Sequence, residues 1–335
     1  MITIKDIKVS IICLAYNHEK YIRSALQGFV DQITDFGYEV LINDDASTDK
    51  TADIIREYEK KYPDIIKPVY QKENQHSQGI RIISTYLLPK AQGEYLAYCE
   101  GDDFWTDPYK LQKQYDILEK HKECSLCIHR VDCLNEDDTP NERTIPESNY
   151  DLNSDRLITK TELCRLYWLK GGYPFHTSSY FMRKEVHDTN IELKRDVGML
   201  KKCLIKGDAY YINTPMSARR LMTAGNFNQR LKAGGVKAKL RLIEDDIRND
   251  YNLAQHTDGF IKNYALYGII EGVLSISNFE PEHGKELLKK FKVNIFRSLK
   301  ITDRKTKFIF LMKYILLKIC PVKLYQKIVS VPDNL

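Results

Sequence analysis

Glu100, Asp102 and Asp103 crowd three carboxylates into four residues, directly behind the apolar run Tyr95–Cys99. Such a cluster repels itself, and a folded chain keeps it where a cation offsets the charge. Hard carboxylate oxygens select Mg²⁺ or Mn²⁺, and these ions commonly bridge to substrate phosphates. Two more polar clusters follow apolar runs: AYNHE at Ala15–Glu19 and NDDAST at Asn43–Thr48. Taken singly, each has a plain alternative. Asp102 and Asp103 suit a turn, Asp107 and Asn17 suit helix caps, and Asp45 suits either. Taken together they describe a ligand site, provided the apolar runs are parallel strands, because ligands bind outside the carboxyl ends of such sheets. No G-x-G-x-x-G follows the first run and no G-x-x-x-x-G-K-[ST] occurs anywhere, so dinucleotide-binding and P-loop readings lose their main support.

The elements that must position these residues follow from periodicity. Strands are expected at 7–15, 38–44, 64–70, 93–100 and 124–131, with Pro68 marking an edge or bulge. Helical patterns lie between them at 18–32, 47–62, 81–88 and 107–121, the second capped by Ser47 or Thr48. This alternation predicts an α/β, doubly wound, mostly parallel sheet with helices on both faces. Asn135–Asp155 is polar and reads as a surface loop. Beyond it come a helix at 159–169, a strand at 178–184 and a helix at 196–206; from about 228 the chain reads as helical. The expected domains are 1–227, carrying the site, and 228–335, a helical region ending in a basic amphipathic segment.

The segments VSIICLAYNHEKYIRSAL, YEVLINDDASTDKTADII and GEYLAYCEGDDFWTDPYKLQKQ, in this order and spacing, resemble the family 2 glycosyltransferases of bacterial surface-polysaccharide and capsule synthesis. The resemblance covers roughly residues 7–225 and implies a GT-A fold, a UDP-sugar donor, Mn²⁺ or Mg²⁺, and an inverting hexosyl transfer to a glycan or lipid-linked acceptor. Position by position, it gives Asp44 the uracil N3–H, Tyr16 a stacking face for the base, and Arg81 a nucleotide contact. EGDD matches the family's Asp-x-Asp with Glu100 first and Asp102 second; the longer Glu100 arm suits ribose or a metal-bound water, and Asp102 the metal. Asp196 matches the acidic residue that opens a helix and serves as catalytic base, with Asp188 and Asp155 as outside choices. His176 lies in a loop like the family's acceptor-side loop. MSARRLM resembles a segment that often ends in Tyr-Arg-x-His; Arg219 and Arg220 are present as diphosphate candidates, but Met222 replaces the His.

Composition limits the alternatives. The net charge of +5 divides into +11 over Lys285–Lys327, thirteen Lys/Arg against Glu286 and Asp303, and −6 elsewhere. That basic tail suggests a polyanionic partner. The apolar core around 307–327 is broken by Lys313 and Lys318, short of the ~20 residues a span needs, and fits a helix lying at the inner face of the cell membrane. A nucleic-acid partner is not expected, because no groove-reading motif accompanies the charge. Eight scattered Cys and no leader-like segment suggest reduced thiols and a cytoplasmic protein. Cys124 and Cys127, three apart on a strand, would point to opposite faces and not chelate zinc. The alternative enzyme is a nucleotidyltransferase acting on a sugar phosphate; it would carry a glycine-rich basic loop where AYNHEKY stands.

Overall fold

The computed structural model describes residues 6–147, 150–169, 175–221, 231, 233–291, 301–302 and 304–319. The chain begins with β1 (Ile7–Ala15), α1 (Ile22–Val30), β2 (Gly37–Asp44), α2 (Thr51–Lys61), β3 (Ile66–Tyr70), β4 (Tyr95–Tyr98), β5 (Phe104–Trp105) and α3 (Lys110–Lys120). It continues with β6 (Cys124–Leu134), β7 (Pro140–Ile145), β8 (Arg156–Ile158), α4 (Lys160–Leu169), β9 (Phe181–Arg183), α5 (Arg195–Lys206) and β10 (Asp208–Arg220). Four helices follow: α6 (Gly235–His256), α7 (Gly259–Phe279), α8 (Pro281–Phe291) and α9 (Arg304–Ile319). These elements form two compact units. The first holds residues 1–160, 173–189 and 206–224; the second holds 161–172, 190–205 and 225–335.

The first unit is built on a sheet of order β3-β2-β1-β4-β9-β6-β10-β5, with β7 on β6 and β8 on β10. Its long registers are parallel, Ile7↔Gly37 through Ala15↔Asp44 and Asp208↔Cys124 through Arg220↔Leu134. Antiparallel pairings involve two or three residues each. β1 and β2 are apolar along most of their length because strands inside a parallel sheet are covered on both faces. β3 lies at the sheet edge, where the missing Pro68 N–H breaks no ladder bond. Cys13, Cys99 and Cys127 are buried thiols whose burial raises their pKa and holds them protonated.

Four expectations need correction. Within Asn135–Asp155 the chain forms β7, whose sequence PNERTI has no apolar face and so gives no period-2 signal. The helix expected over 81–88 is a π-turn at Ile83–Leu87 and a 3₁₀ turn at Leu88–Lys90, since Pro89 cannot continue an α-helix. Ser47 and Thr48 do not cap α2; it starts at Thr51, whose N–H donates to Asp49 Oδ1 (2.9 Å). Asn17 does not cap α1 either. With φ 56° it sits in the left-handed region that Asn tolerates, and its Oδ1 accepts the Thr48 N–H (2.8 Å).

The second unit packs Leu240, Ile247, Ile270, Val273, Leu287 and Leu317 into an apolar core. α7 is apolar around most of its circumference because it lies at the centre of that core. One charged pair is buried with it. Lys201 of α5 meets Asp250 of α6 at 2.7 Å, and the Trp168 indole N–H donates to the same carboxylate (3.3 Å). A Cβ on Gly268 would stand 2.1 Å from Asp250 Oδ2, so only glycine lets the carboxylate lie against α7. Burial raises the Asp250 pKa to about 6 even against the attraction of Lys201. α9 has two different faces. Phe310 stacks on Tyr267 (5.4 Å) and Leu317 is buried, whereas Phe308 is 66% exposed and Ile309, Met312 and Ile315 share its exposure.

Candidate active site

Three loops leave the carboxyl ends of β1, β2 and β4 side by side. The Asp45 N–H donates to the Ala15 carbonyl and the Gly101 N–H to the Leu14 carbonyl, both at 2.9 Å. Side chains tie the first two loops together: the Asn17 N–H donates to Ser47 Oγ (3.0 Å), the His18 N–H to Thr51 Oγ1 (2.7 Å) and the Glu19 N–H to Asp49 Oδ2 (3.0 Å). Gly101 lets the carboxylate loop approach the first. A Cβ there would lie 2.8 Å from both His18 Nδ1 and Ile22 Cδ1.

Asp44 ends β2 and is buried; Oδ2 accepts the Ser47 N–H (3.3 Å), and Oδ1 has no partner among the described residues. Burial raises its pKa, and the Ser47 hydrogen bonds oppose that shift. A buried acceptor left open is costly unless a ligand fills it. Tyr16, just past the end of β1, is 40% exposed. Asp45 is a loop holder: its two oxygens accept the Gln75 N–H (2.7 Å) and the His76 N–H (3.1 Å). The loop it pins leads through left-handed Gly79 to exposed Arg81.

The carboxylate cluster divides by burial. Glu100 is exposed, Asp102 is half-buried and Asp103 is buried. Asp103 turns inward: Oδ1 accepts the Arg220 N–H (3.0 Å) and Oδ2 lies 3.6 Å from His176 Nε2. Burial, then the charges of Asp102 and Glu100, raise its pKa well above the carboxylate range. His176 Nδ1 lies 2.9 Å from Ser178 Oγ and accepts the Ser178 N–H, which leaves the imidazole proton on Nε2 facing Asp103. Burial and the nearby Arg219 charge push the His176 pKa well down, so the ring is neutral. Arg219 is half-exposed. Arg220 is buried with its arms engaged: Nη1 donates to the Asp102 carbonyl (2.9 Å), and Nε and Nη2 hold the Asp138 carboxylate. Met222 lies outside the described residues.

Asp196 belongs to the second unit, in the first turn of α5. Its Oδ1 accepts the Val197 N–H (2.9 Å), and burial raises its pKa. Arg195, just before it, has φ 63°, uncommon for a non-glycine residue. α6 holds that conformation: Arg195 pairs with Asp246, and the Asn249 amide bonds both the N–H (2.7 Å) and the carbonyl (3.0 Å) of Lys194. Asp155 is committed to the Asn213 N–H (2.8 Å), and Asp188 ends a 3₁₀ turn.

The family model "Glycosyl transferase family 2" matches residues 10–189. The chain belongs to glycosyl transferase family 2. A putative teichuronic acid biosynthesis glycosyltransferase of Bacillus subtilis, TuaG, is 35% identical over 229 residues, 67% of this chain and 83% of that protein. An uncharacterised protein of Mycobacterium tuberculosis is 44% identical over 153 residues, 45% of this chain; the match spans only 43% of that relative's length. The crystal structure of S. aureus TarS 1–349 in complex with UDP-GlcNAc superposes with a TM-score of 0.68 at 17% identity, covering 97% of this chain and 91% of that one. The fold is the GT-A fold of this family, followed by a helical C-terminal region.

Family 2 glycosyltransferases commonly use divalent metals, and the donor set here suits one. Among the described residues no group of three or more His, Cys, Asp or Glu converges as a closed metal cage. Asp102 with Glu100 offers one or two hard carboxylates, the protein share typical of Mg²⁺ when substrate phosphates and water complete the shell. Sequence reasoning missed Asp138 and Ser178. Neither carries a signal of its own, since one lies in a polar hairpin and the other in a serine pair.

Proposed function

We propose that this family 2 glycosyltransferase moves a hexose from a UDP-sugar to a glycan acceptor, with inversion, in cell-surface polysaccharide synthesis. The observation that carries the reading is Asp44 Oδ1, buried and open, on the same strand-end edge as Glu100 and Asp102. Asp44 accepts the uracil N3–H while Tyr16 covers the base and Arg81 reaches the nucleotide. Asp102 would hold Mn²⁺ or Mg²⁺, with Glu100 toward the ribose or the ion's water; bound there, the ion would supply positive charge for the departing diphosphate. Arg219 adds charge to the diphosphate. His176, neutral, shapes the acceptor side through its bonds to Ser178. Asp196 takes the acceptor hydroxyl proton as the new O–C1 bond forms and the C1–O bond to UDP breaks. The names of TuaG and the UDP-GlcNAc complex of TarS support a nucleotide-sugar donor and a surface-glycan acceptor. The test is a panel of UDP-, GDP- and dTDP-sugars incubated with the protein and Mn²⁺, scoring released nucleotide. UDP release from one UDP-sugar, lost on adding EDTA, is expected; equal turnover of a GDP-sugar would overturn the base assignment.

A second part of the proposal places the protein at the cytoplasmic membrane face, where a lipid-linked acceptor lies. No helix among the described residues is long and apolar enough to cross a membrane. α9 instead presents Phe308, Ile309, Met312 and Ile315 outward, with Lys307, Lys313 and Lys318 on the same helix. Apolar side chains flanked by lysines fit an anionic bilayer surface. The intact protein should float with phosphatidylglycerol-containing vesicles, and Phe308→Asp combined with Ile315→Asp should leave it in the load fraction. Failure of the intact protein to float would remove the membrane reading and leave α9 as a docked helix alone; equal flotation of both proteins would move the contact away from Phe308 and Ile315.

A further inference from the structure

We propose that Asp138, at the tip of the β6–β7 hairpin, positions the metal-binding loop by fixing Arg220. This rests on the reading that Asp102 is a metal ligand. Arg220 makes four donations in two directions. Toward the carboxylate loop, its backbone N–H bonds Asp103 Oδ1 (3.0 Å) and Nη1 bonds the Asp102 carbonyl (2.9 Å). Toward the hairpin, Nε and Nη2 grip both oxygens of Asp138 as a bidentate fork.

The surroundings leave the fork little freedom. The Arg220 side chain is 1% exposed, while Asp138 is 52% exposed. Its guanidinium carbon lies 4.5 Å from the Phe104 ring centroid and 5.2 Å from that of Tyr21. A planar guanidinium held at two nitrogens and bounded by two rings fixes the direction of the third. That third nitrogen holds the carbonyl of the residue whose side chain carries the metal. Asp138 is itself held in an uncommon conformation, φ 62°. The Asp138 N–H donates to the Asn135 carbonyl (3.1 Å), and the Asn135 N–H donates to the Thr139 carbonyl (2.9 Å). The hairpin tip is thus shaped to deliver one carboxylate to one arginine. Two consequences follow: Arg220 has no arm left for a diphosphate, which falls to Arg219, and the hairpin controls metal affinity without touching metal.

The test titrates Mn²⁺ into the full chain in the presence of UDP, with metal-free uridine binding as a second readout. Asp138→Ala should raise the half-saturating Mn²⁺ concentration at least ~10-fold, as expected when a group orienting a metal ligand is lost. Asp138→Asn, which keeps one acceptor, should raise it less and guards against misfolding of the alanine variant. Uridine affinity should stay unchanged in both, because uridine has no phosphate for the metal. Unchanged Mn²⁺ dependence in Asp138→Ala, alongside its loss in Asp102→Ala, would overturn the clamp alone. Unchanged Mn²⁺ dependence in Asp102→Ala would overturn the metal-ligand reading and the clamp with it. A parallel fall in uridine affinity would assign Asp138 to general folding and overturn the proposal.

Discussion

Asp196→Asn is expected to transfer sugar at least ~100-fold more slowly while binding UDP and metal as the unaltered protein does. The substitution keeps the side chain's size, and an asparagine oxygen can still accept the Val197 N–H that Asp196 now takes. The Arg195–Asp246 pair and the Asn249 bonds to Lys194 are untouched, so α5 should start where it does. What is lost is the proton acceptor, and general-base catalysis typically contributes ~10²–10⁴-fold. Burial raises the Asp196 pKa, which brings a carboxylate closer to the pH at which a base is both ionised and effective. The rate of the unaltered protein should therefore rise with pH through an apparent pKa above the ordinary Asp value of about 3.9. The base works deprotonated, and a raised pKa moves its activation to higher pH. Single-turnover transfer, with UDP affinity measured by calorimetry, separates chemistry from binding. Near-normal transfer by Asp196→Asn would move the base elsewhere, with Asp188 the next variant to make.

The three loops at the strand ends are legible in the sequence for a physical reason. β1 and β2 are covered on both faces, so they read as apolar runs, and each ends abruptly in polar residues. The same logic fails for β7, which is polar on both sides, and so hides Asp138 inside what looks like a loop. It fails for Lys201 and Asp250 as well. Charged residues at helix positions read as solvated, and only the fold shows that they neutralise each other in the second unit's core. Asn17 shows a third kind of loss. An Asn before a helix suggests a cap, yet its left-handed backbone turns the side chain across to Thr48. The burial of Asp103 beside half-buried Asp102 and exposed Glu100 is likewise invisible in a string that reads EGDD.

Asp102→Ala is expected to remove metal-dependent UDP binding, weakening it at least ~100-fold, about 2.7 kcal/mol. The three carboxylates of the cluster are unequally committed. Asp103 spends its oxygens on the Arg220 N–H and the His176 side, so the proposed metal site rests on Asp102 and Glu100. Asp102 is half-buried and its carbonyl is fixed by Arg220, so its carboxylate is better placed and less solvated than that of exposed Glu100. Charge interactions strengthen as water is excluded. Loss of Asp102 should then cost more than loss of Glu100, and Glu100→Ala should retain measurable Mn²⁺ dependence. The base pocket is a separate part of the site. Asp44 ends β2 and Tyr16 directly follows β1, so uridine should bind Asp102→Ala as it binds the unaltered protein. EDTA added to the unaltered protein should reproduce the variant's weakened UDP affinity and leave uridine unaffected. Calorimetric titration of UDP with Mn²⁺ and with EDTA, across both variants, checks the order. If Glu100→Ala loses the metal dependence and Asp102→Ala keeps it, the two carboxylates exchange roles.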